Sequence, residues 1–272
     1  LSEAAVPLLE IDRLSVHYPA APAPVLRRVS LALPPDGTLG VVGESGVGKS
    51  TLALAIMGLL PAGTRCEGSI CFRGEELLGH PERARALRWR CVSLVLQEAI
   101  NALNPVLTIG EQLAEVWVVH AGLSWRAALQ RAAAAVARVG LEEACVHHYP
   151  HELSGGMRQR VAIAMALALS PALVIVDEPT SALDVLSAGR MIDMLRALRR
   201  DTGAACLVIS HDLSVIARTC AQMMVLERGQ VCESGGVSAI LRAPAHRVTR
   251  QLIEAFPTLP ARKEADAAAC HP

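Results

Sequence analysis

The chain has 272 residues, 52% of them hydrophobic, and 26 Lys+Arg balance 26 Asp+Glu to a formal net charge of zero. A mean hydropathy of +0.36 excludes a disordered chain and supplies a sizeable core, while the balanced charge excludes a nucleic-acid footprint, which needs a basic excess. Aromatics are only 3%, so aliphatic side chains and Ala must build that core, and few platforms exist for stacked bases.

Leu1 to Asp12 lack a basic region followed by an apolar run, so no signal peptide is expected. From Leu9 to Leu33, stretches such as Leu-Glu-Ile-Asp and Arg-Val-Ser-Leu-Ala-Leu alternate and predict antiparallel strands, separated by a Pro/Ala loop around Pro19 to Pro24. Thr38 to Gly43 reads as a short apolar strand running into a Gly-rich loop, and Ser50 to Leu60 as an apolar helix closed by Pro61 and Gly63. The Ala-rich stretch from Glu111 to Gly140 predicts an inserted helical lobe, with Gly140 as a C-cap. Met157 to Leu169 predicts a further helix. Ala172 to Val176 and Cys206 to Ser210 are continuous apolar runs, as expected of strands buried on both faces, and the helix Val185 to Arg200 between them completes a βαβ unit. Arg228-Gly229 reads as a hairpin turn, and the sequence after Pro257 as a frayed tail. The longest uncharged stretch, Val161 to Val176, is too short to span a membrane and is divided by Pro171.

Eight cysteines are present, with no C-x-x-C pair and no Cys/His set at zinc-finger spacing. They read as free thiols in a reducing compartment. The basic residues are almost all Arg, and Lys49 and Lys263 are the two lysines. A lysine kept in such a chain points to a place where a compact ammonium fits and a planar guanidinium does not.

Gly43-Glu44-Ser45-Gly46-Val47-Gly48-Lys49-Ser50-Thr51 matches G-x-x-x-x-G-K-[ST] at every fixed position. Gly43, Gly46 and Gly48 let the backbone wrap phosphates, with N–H groups pointing inward at the positive end of the next helix. Lys49 is placed to reach the β- and γ-phosphates of a nucleotide, and the Ser50 hydroxyl to ligate Mg²⁺. Asp177 and Glu178 end a buried strand, where open α/β sheets bind ligands. Asp177 suits Mg²⁺, directly or through its water, and Glu178 suits a general base polarising the attacking water.

Further residues narrow the field. Leu153-Ser154-Gly155-Gly156-Met157-Arg158-Gln159-Arg160 is similar to the LSGGQ-type signature of the ABC ATPases, with Met where Gln is usual. Asp177-Glu178-Pro-Thr-Ser-Ala-Leu-Asp184 resembles their Walker B and D-loop, and Ser210-His211-Asp212 their switch histidine. Gln97, shortly before Asn104-Pro105, resembles their Q-loop, and Tyr18 sits where the family stacks an aromatic on adenine. The resemblance spans about Leu9 to Arg250. It implies an α/β fold of the P-loop NTPase type, an ABC-ATPase core of mixed sheet with an antiparallel β subdomain, plus an inserted α-helical signature subdomain. The expected division is one domain over 1–260, with a core at about 5–95 and 170–250 and a helical subdomain at about 96–169, followed by a tail at 261–272.

The same resemblance implies a role for each motif. Ser154, Gly155 and Gly156 would bind the γ-phosphate of ATP held by a second cassette in a head-to-tail dimer, with Asp184 beside it. Glu178, His211 and Gln97 would act in hydrolysis, and Ser50, Gln97 and Asp177 would hold Mg²⁺. The segment Leu96 to Pro105 and the stretch Ala243 to Leu252, with His246 and Thr249, resemble the peptide/nickel importer group. Only Cys270 lies in the tail, so no iron–sulfur cluster is expected; the tail leans toward the nickel-type members. Expected partners are a second ATPase, a paralogue before an identical chain, two membrane permeases and, indirectly, an extracytoplasmic substrate-binding protein. The expected location is the cytoplasmic face of the plasma membrane, peripherally bound, with no nucleic-acid partner. Soluble repair or translation ATPases fit less well: no heptad run and no second P-loop is present, and neither are the fused membrane helices of exporter cassettes. Ala99, Ile100, Ala102 and Leu103 after Gln97 are expected to form an exposed apolar docking loop for a permease helix.

Overall fold

A computed structural model of the chain describes residues 6–96, 103–181 and 183–255. In chain order the strands are β1 (Leu9–His17), β2 (Leu26–Leu33), β3 (Thr38–Val42), β4 (Arg65–Phe72), β5 (Glu75–Glu76), β6 (Val92–Val95), β7 (Leu173–Asp177), β8 (Ala205–Ser210), β9 (Gln222–Glu227) and β10 (Gln230–Gly236). The helices are α1 (Lys49–Ile56), α2 (Pro81–Leu87), α3 (Ile109–Ala121), α4 (Trp125–Arg138), α5 (Gly155–Leu167), α6 (Val185–Thr202), α7 (Leu213–Thr219), α8 (Val237–Arg242) and α9 (Arg247–Glu254). They fall into two compact units, one from Leu1–Arg85 and Ala205–Pro272, the other from Ala86–Ala204.

The first unit holds an antiparallel sheet in the order β2-β1-β4-β5. Its alternation buries Leu9, Ile11, Leu14 and Val16 on one face. The register shifts between Ile11 and Leu14 and again between Leu14 and Val16; Arg13 takes a left-handed φ of 48° at the first shift and Arg28 one of 50° opposite the second. The N–H groups freed there are satisfied by serines: Arg13 N–H donates to Ser30 Oγ at 2.8 Å and Arg28 N–H to Ser15 Oγ at 3.0 Å.

Beside it, β3 is buried along its whole length and pairs in parallel with β8 on one side and β9 on the other. That explains why its sequence is a continuous apolar run. α7 packs so closely on it that a Cβ at Gly40 would fall 2.3 Å from Ile216 Cγ2. β9 turns through Arg228-Gly229 into antiparallel β10, as the sequence predicts, and Arg27 N–H donates to Gly229 O at 2.7 Å, seating that turn against β2.

In the second unit, parallel β6 and β7 accompany the helices. The Ala-rich stretch is two helices. α3 opens on a capping box between Thr108 and Glu111 and closes on Gly122 at φ 68°, and Ser124 caps α4 through Ala127 N–H. Trp117 Nε1 donates to Ala168 O at 3.0 Å, tying α3 to the end of α5. Among the described residues none of the seven cysteines is in a disulfide, and no helix is long and apolar enough to cross a membrane.

Candidate nucleotide site

The phosphate loop is built by the β3–α1 connection. Val42 pairs with Ser210 and with Val225, so Gly43 leaves the sheet at its carboxyl edge, flanked by the ends of β8 and β9. A side chain at Gly43 is excluded, since its Cβ would lie 2.6 Å from Leu226 O and 2.9 Å from Val47 Cγ1. Gly48, at φ 108°, starts α1, and its Cβ would lie 2.6 Å from Leu26 Cδ2. Both closeness and dihedral demand glycine there. Gly46 has φ 79° and open space beside it.

Lys49 is 7% exposed. Its Nζ donates to Gly43 O at 2.8 Å and Glu44 O at 2.9 Å, so the ammonium is held under the arch of its own loop. Glu44, Ser45, Gly46 and Ser50 face outward as exposed residues. α1 has no side-chain cap, which leaves its first-turn N–H groups for an incoming acceptor. A buried ammonium, glycine walls and an uncapped helix start fit a polyphosphate. The Tyr18 hydroxyl lies 3.2 Å from Thr51 Oγ1, bringing the aromatic ring expected against adenine to this loop.

His211 follows Ser210 directly, so it stands at the same sheet edge as Gly43. Its neighbours are fixed. Ser210 Oγ accepts from Asp212 N–H at 3.0 Å, and Asp212 caps α7 through Ser214 N–H at 2.7 Å. The imidazole itself is exposed.

The second unit carries the acidic pair and the signature helix. Asp177 is 2% and Glu178 6% exposed. Glu178 has a left-handed φ of 51°, a conformation that costs about 1–3 kcal/mol in a residue with a Cβ and persists at sites whose surroundings enforce it. The turn is closed by Ser181, whose N–H and hydroxyl donate to Glu178 O at 3.4 and 3.3 Å. In this unit the Asp177 carboxylate is a donor of the kind a hard cation such as Mg²⁺ takes.

Ser154 caps α5 through Met157 N–H at 3.3 Å, with Gly155 and Gly156 half-buried in its first turn. A Cβ on Gly156 would meet Leu183 Cδ2 at 3.5 Å. Gln159, 5% exposed, donates its amide to Pro179 O and so joins the signature helix to the turn after Glu178. No fixed motif position marks Gln159 for this contact; its one signal in the sequence is an amide among the buried positions of α5. Asp184 caps α6, accepting from Ser187 N–H at 3.0 Å and Ser187 Oγ at 2.7 Å. Those bonds hold its carboxyl below the ordinary value.

Gln97, Ala99, Ile100 and Ala102 lie outside the described residues. Leu103 corrects its own part of the expected exposed apolar loop, because it is 7% exposed. The cause is Gln112, which accepts from Asn104 N–H at 2.8 Å and donates to the carbonyls of Asn104 and Leu107 at 3.0 Å each. This folds the segment back on α3. Val106, at 75%, is an exposed apolar side chain just beyond it.

A phosphate loop on one parallel strand, an acidic pair on another and a glycine-opened signature helix define a P-loop ATPase of the cassette type. The family model described as ABC transporter matches residues 26–181, and the chain belongs to the ABC transporter family, as an ATP-binding, ATP-hydrolysing cassette.

The chain is 40% identical over 263 residues to an oligopeptide transport ATP-binding protein of Haemophilus influenzae, covering 95% of this chain and 81% of that protein. Its likeness to the oligopeptide transport ATP-binding protein of Salmonella typhimurium is 40% over 257 residues, covering 93% and 77%. With a peptidoglycan transport ATP-binding protein of Agrobacterium fabrum it shares 40% over 258 residues, 92% of this chain and 47% of that one. Among solved structures, a dimeric ATP-binding cassette in a post-hydrolysis state bound to ADP and Pi is 26% identical, with a TM-score of 0.75, covering 84% of this chain and 98% of that one.

Proposed function

We propose that the chain drives uptake of short peptides. It works as one half of a head-to-tail cassette pair beneath two separate permease subunits, at the cytoplasmic face of the membrane, with an extracytoplasmic binding protein delivering the cargo. The observation that carries this reading is the 40% identity to an oligopeptide transport ATP-binding protein, sustained over 95% of the chain. The peptide class is preferred to the nickel-type lean of the tail because these relatives are named for oligopeptide and peptidoglycan transport. A paralogue is the preferred partner cassette, on the family resemblance.

In this reading Lys49, the N–H groups of Gly46 and Gly48 and the start of α1 bind the β- and γ-phosphates of ATP, and Tyr18 takes the adenine. Ser50, Gln97 and Asp177 hold Mg²⁺, which neutralises phosphate charge when bound. Glu178 polarises the attacking water, and its enforced backbone keeps the carboxylate in one place. His211 and Gln97 sense the γ-phosphate. Ser154, Gly155, Gly156 and Asp184 face the ATP of the opposing cassette, so hydrolysis unlocks the pair.

The test is reconstitution with candidate permeases and binding proteins, reading ATPase rate. Stimulation by a peptide-loaded binding protein supports the assignment. Stimulation by a nickel-loaded protein alone rejects the peptide class.

A further inference from the structure

Glu227, Cys232 and His246 meet where the β9–β10 hairpin approaches the start of α9, and their carboxylate, thiol and imidazole ligand atoms all lie within 4.8 Å of one another. The nucleotide site uses none of them. Local structure explains the convergence. Glu227 ends β9 and pairs with Gln230 across the tight turn, and β10 then carries a register shift between Val231 and Glu233, with Cys232 as the extra residue. Such a bulge interrupts the alternation of a strand and re-aims its side chains. Cys232 thereby reaches His246, while the adjacent Glu233 reaches the same turn: its carboxylate accepts from the N–H groups of Ala245 at 2.8 Å and His246 at 2.9 Å. That anchorage holds the imidazole with Nε2 3.9 Å from Glu227 Oε2.

We propose that Glu227, Cys232 and His246 form a binding site for one thiophilic divalent cation, with zinc the ion that fits. One sulfur, one imidazole nitrogen and one carboxylate oxygen make a borderline-soft ligand set, whereas calcium and magnesium sites are built from oxygen. Three protein ligands leave a fourth position for water, which the half-buried setting admits. A tetrahedral centre with bonds of about 2.0–2.3 Å spaces its ligand atoms roughly 3.3–3.8 Å apart. The Glu227–His246 separation of 3.9 Å is close to that, and side-chain rotation closes the rest. Cys232 binds as thiolate, its proton passing to solvent.

Loading has a consequence for α9. His246 Nδ1 caps that helix by accepting from Val248 N–H at 3.3 Å. With zinc on Nε2 the ring proton resides on Nδ1, and this contact is lost. Metal and helix cap therefore compete for one imidazole, which suits a site that fills and empties.

The test uses the full chain, stripped with chelator and free of nucleotide, titrated with Co²⁺ and then Zn²⁺. One equivalent of Co²⁺ should produce a thiolate-to-cobalt charge-transfer band, and Zn²⁺ should displace it and raise Tm. Cys232→Ser should abolish the band. His246→Asn, which keeps a capping acceptor, and Glu227→Gln should each weaken binding at least tenfold. Absence of the band in the wild type overturns the proposal, as does a band undiminished in Cys232→Ser. Because no nucleotide takes part, the outcome is separate from the transport assignment.

Discussion

The hydroxyls of Tyr18 and Thr51 lie 3.2 Å apart, linking the chain just after β1 to the first turn of α1. Tyr18→Phe removes this bond and keeps the ring; the expected loss is about 0.5–1.5 kcal/mol of stability with little change in nucleotide affinity. Tyr18→Ala removes the ring as well. If the ring stacks on adenine, ATP affinity should fall by about 1–3 kcal/mol. A fluorescent-nucleotide titration of both variants checks this; equal losses for Phe and Ala would remove the stacking role.

Lys49 is confined between two carbonyls at 2.8 and 2.9 Å. Lys49→Arg should fail almost as badly as Lys49→Ala, because a planar fork does not fit where a point charge does. Both should lose at least about 10²-fold in turnover, the scale of removing a preorganised charge donor. Steady-state ATPase assays decide it, and an active Arg variant would show that charge alone suffices.

Glu178 offers a test that separates chemistry from backbone. Glu178→Gln should cut turnover by roughly 10²- to 10⁴-fold and accumulate an ATP-bound dimer visible by gel filtration. At φ 51° the usual order of Ala and Gly should invert: Glu178→Gly should be more heat-stable than Glu178→Ala, by about 1–2 kcal/mol. Calorimetry of the pair measures it, and the normal order would mean the turn relaxes in solution.

Glu76 gives a pH dependence. Burial is the largest single influence on its carboxyl and pushes the value up, yet hydrogen bonds from Ser69 and the N–H groups of Ile70, Leu77 and Leu78 together bring it below the ordinary value. A carboxyl lowered on folding stabilises the fold above its unfolded value of about 4.3 and loses that contribution as pH falls through the folded value. Glu76→Gln should therefore melt below wild type at neutral pH, with the gap closing under acid. A gap unchanged between pH 7 and pH 3 would assign the effect to packing.

The phosphate loop, the signature and the acidic pair were legible because each needs fixed residue types at fixed spacing. The buried strands were legible as unbroken apolar runs. The burial of Leu103 is not legible, since nothing in a short apolar run reveals that Gln112, nine positions on, will satisfy the loop's backbone and fold it inward. Gln159 escaped notice because its partner is a carbonyl, and any residue has one of those. The convergence of Glu227, Cys232 and His246 depends on a bulge, and a one-residue register shift leaves no compositional trace.

One backbone oxygen, that of Val25, borders two glycines distant in sequence: a Cβ at Gly48 would come within 3.0 Å of it and a Cβ at Gly229 within 2.2 Å. The tip of the β9–β10 hairpin and the phosphate loop are thus in mechanical series, with Val25, the residue before β2, as the shim between them. A tag, insertion or drifted residue at Gly229 would be carried inward to the place where the loop meets its nucleotide. The hairpin is accordingly a poor choice for engineering, and a change there would register first as altered ATP handling.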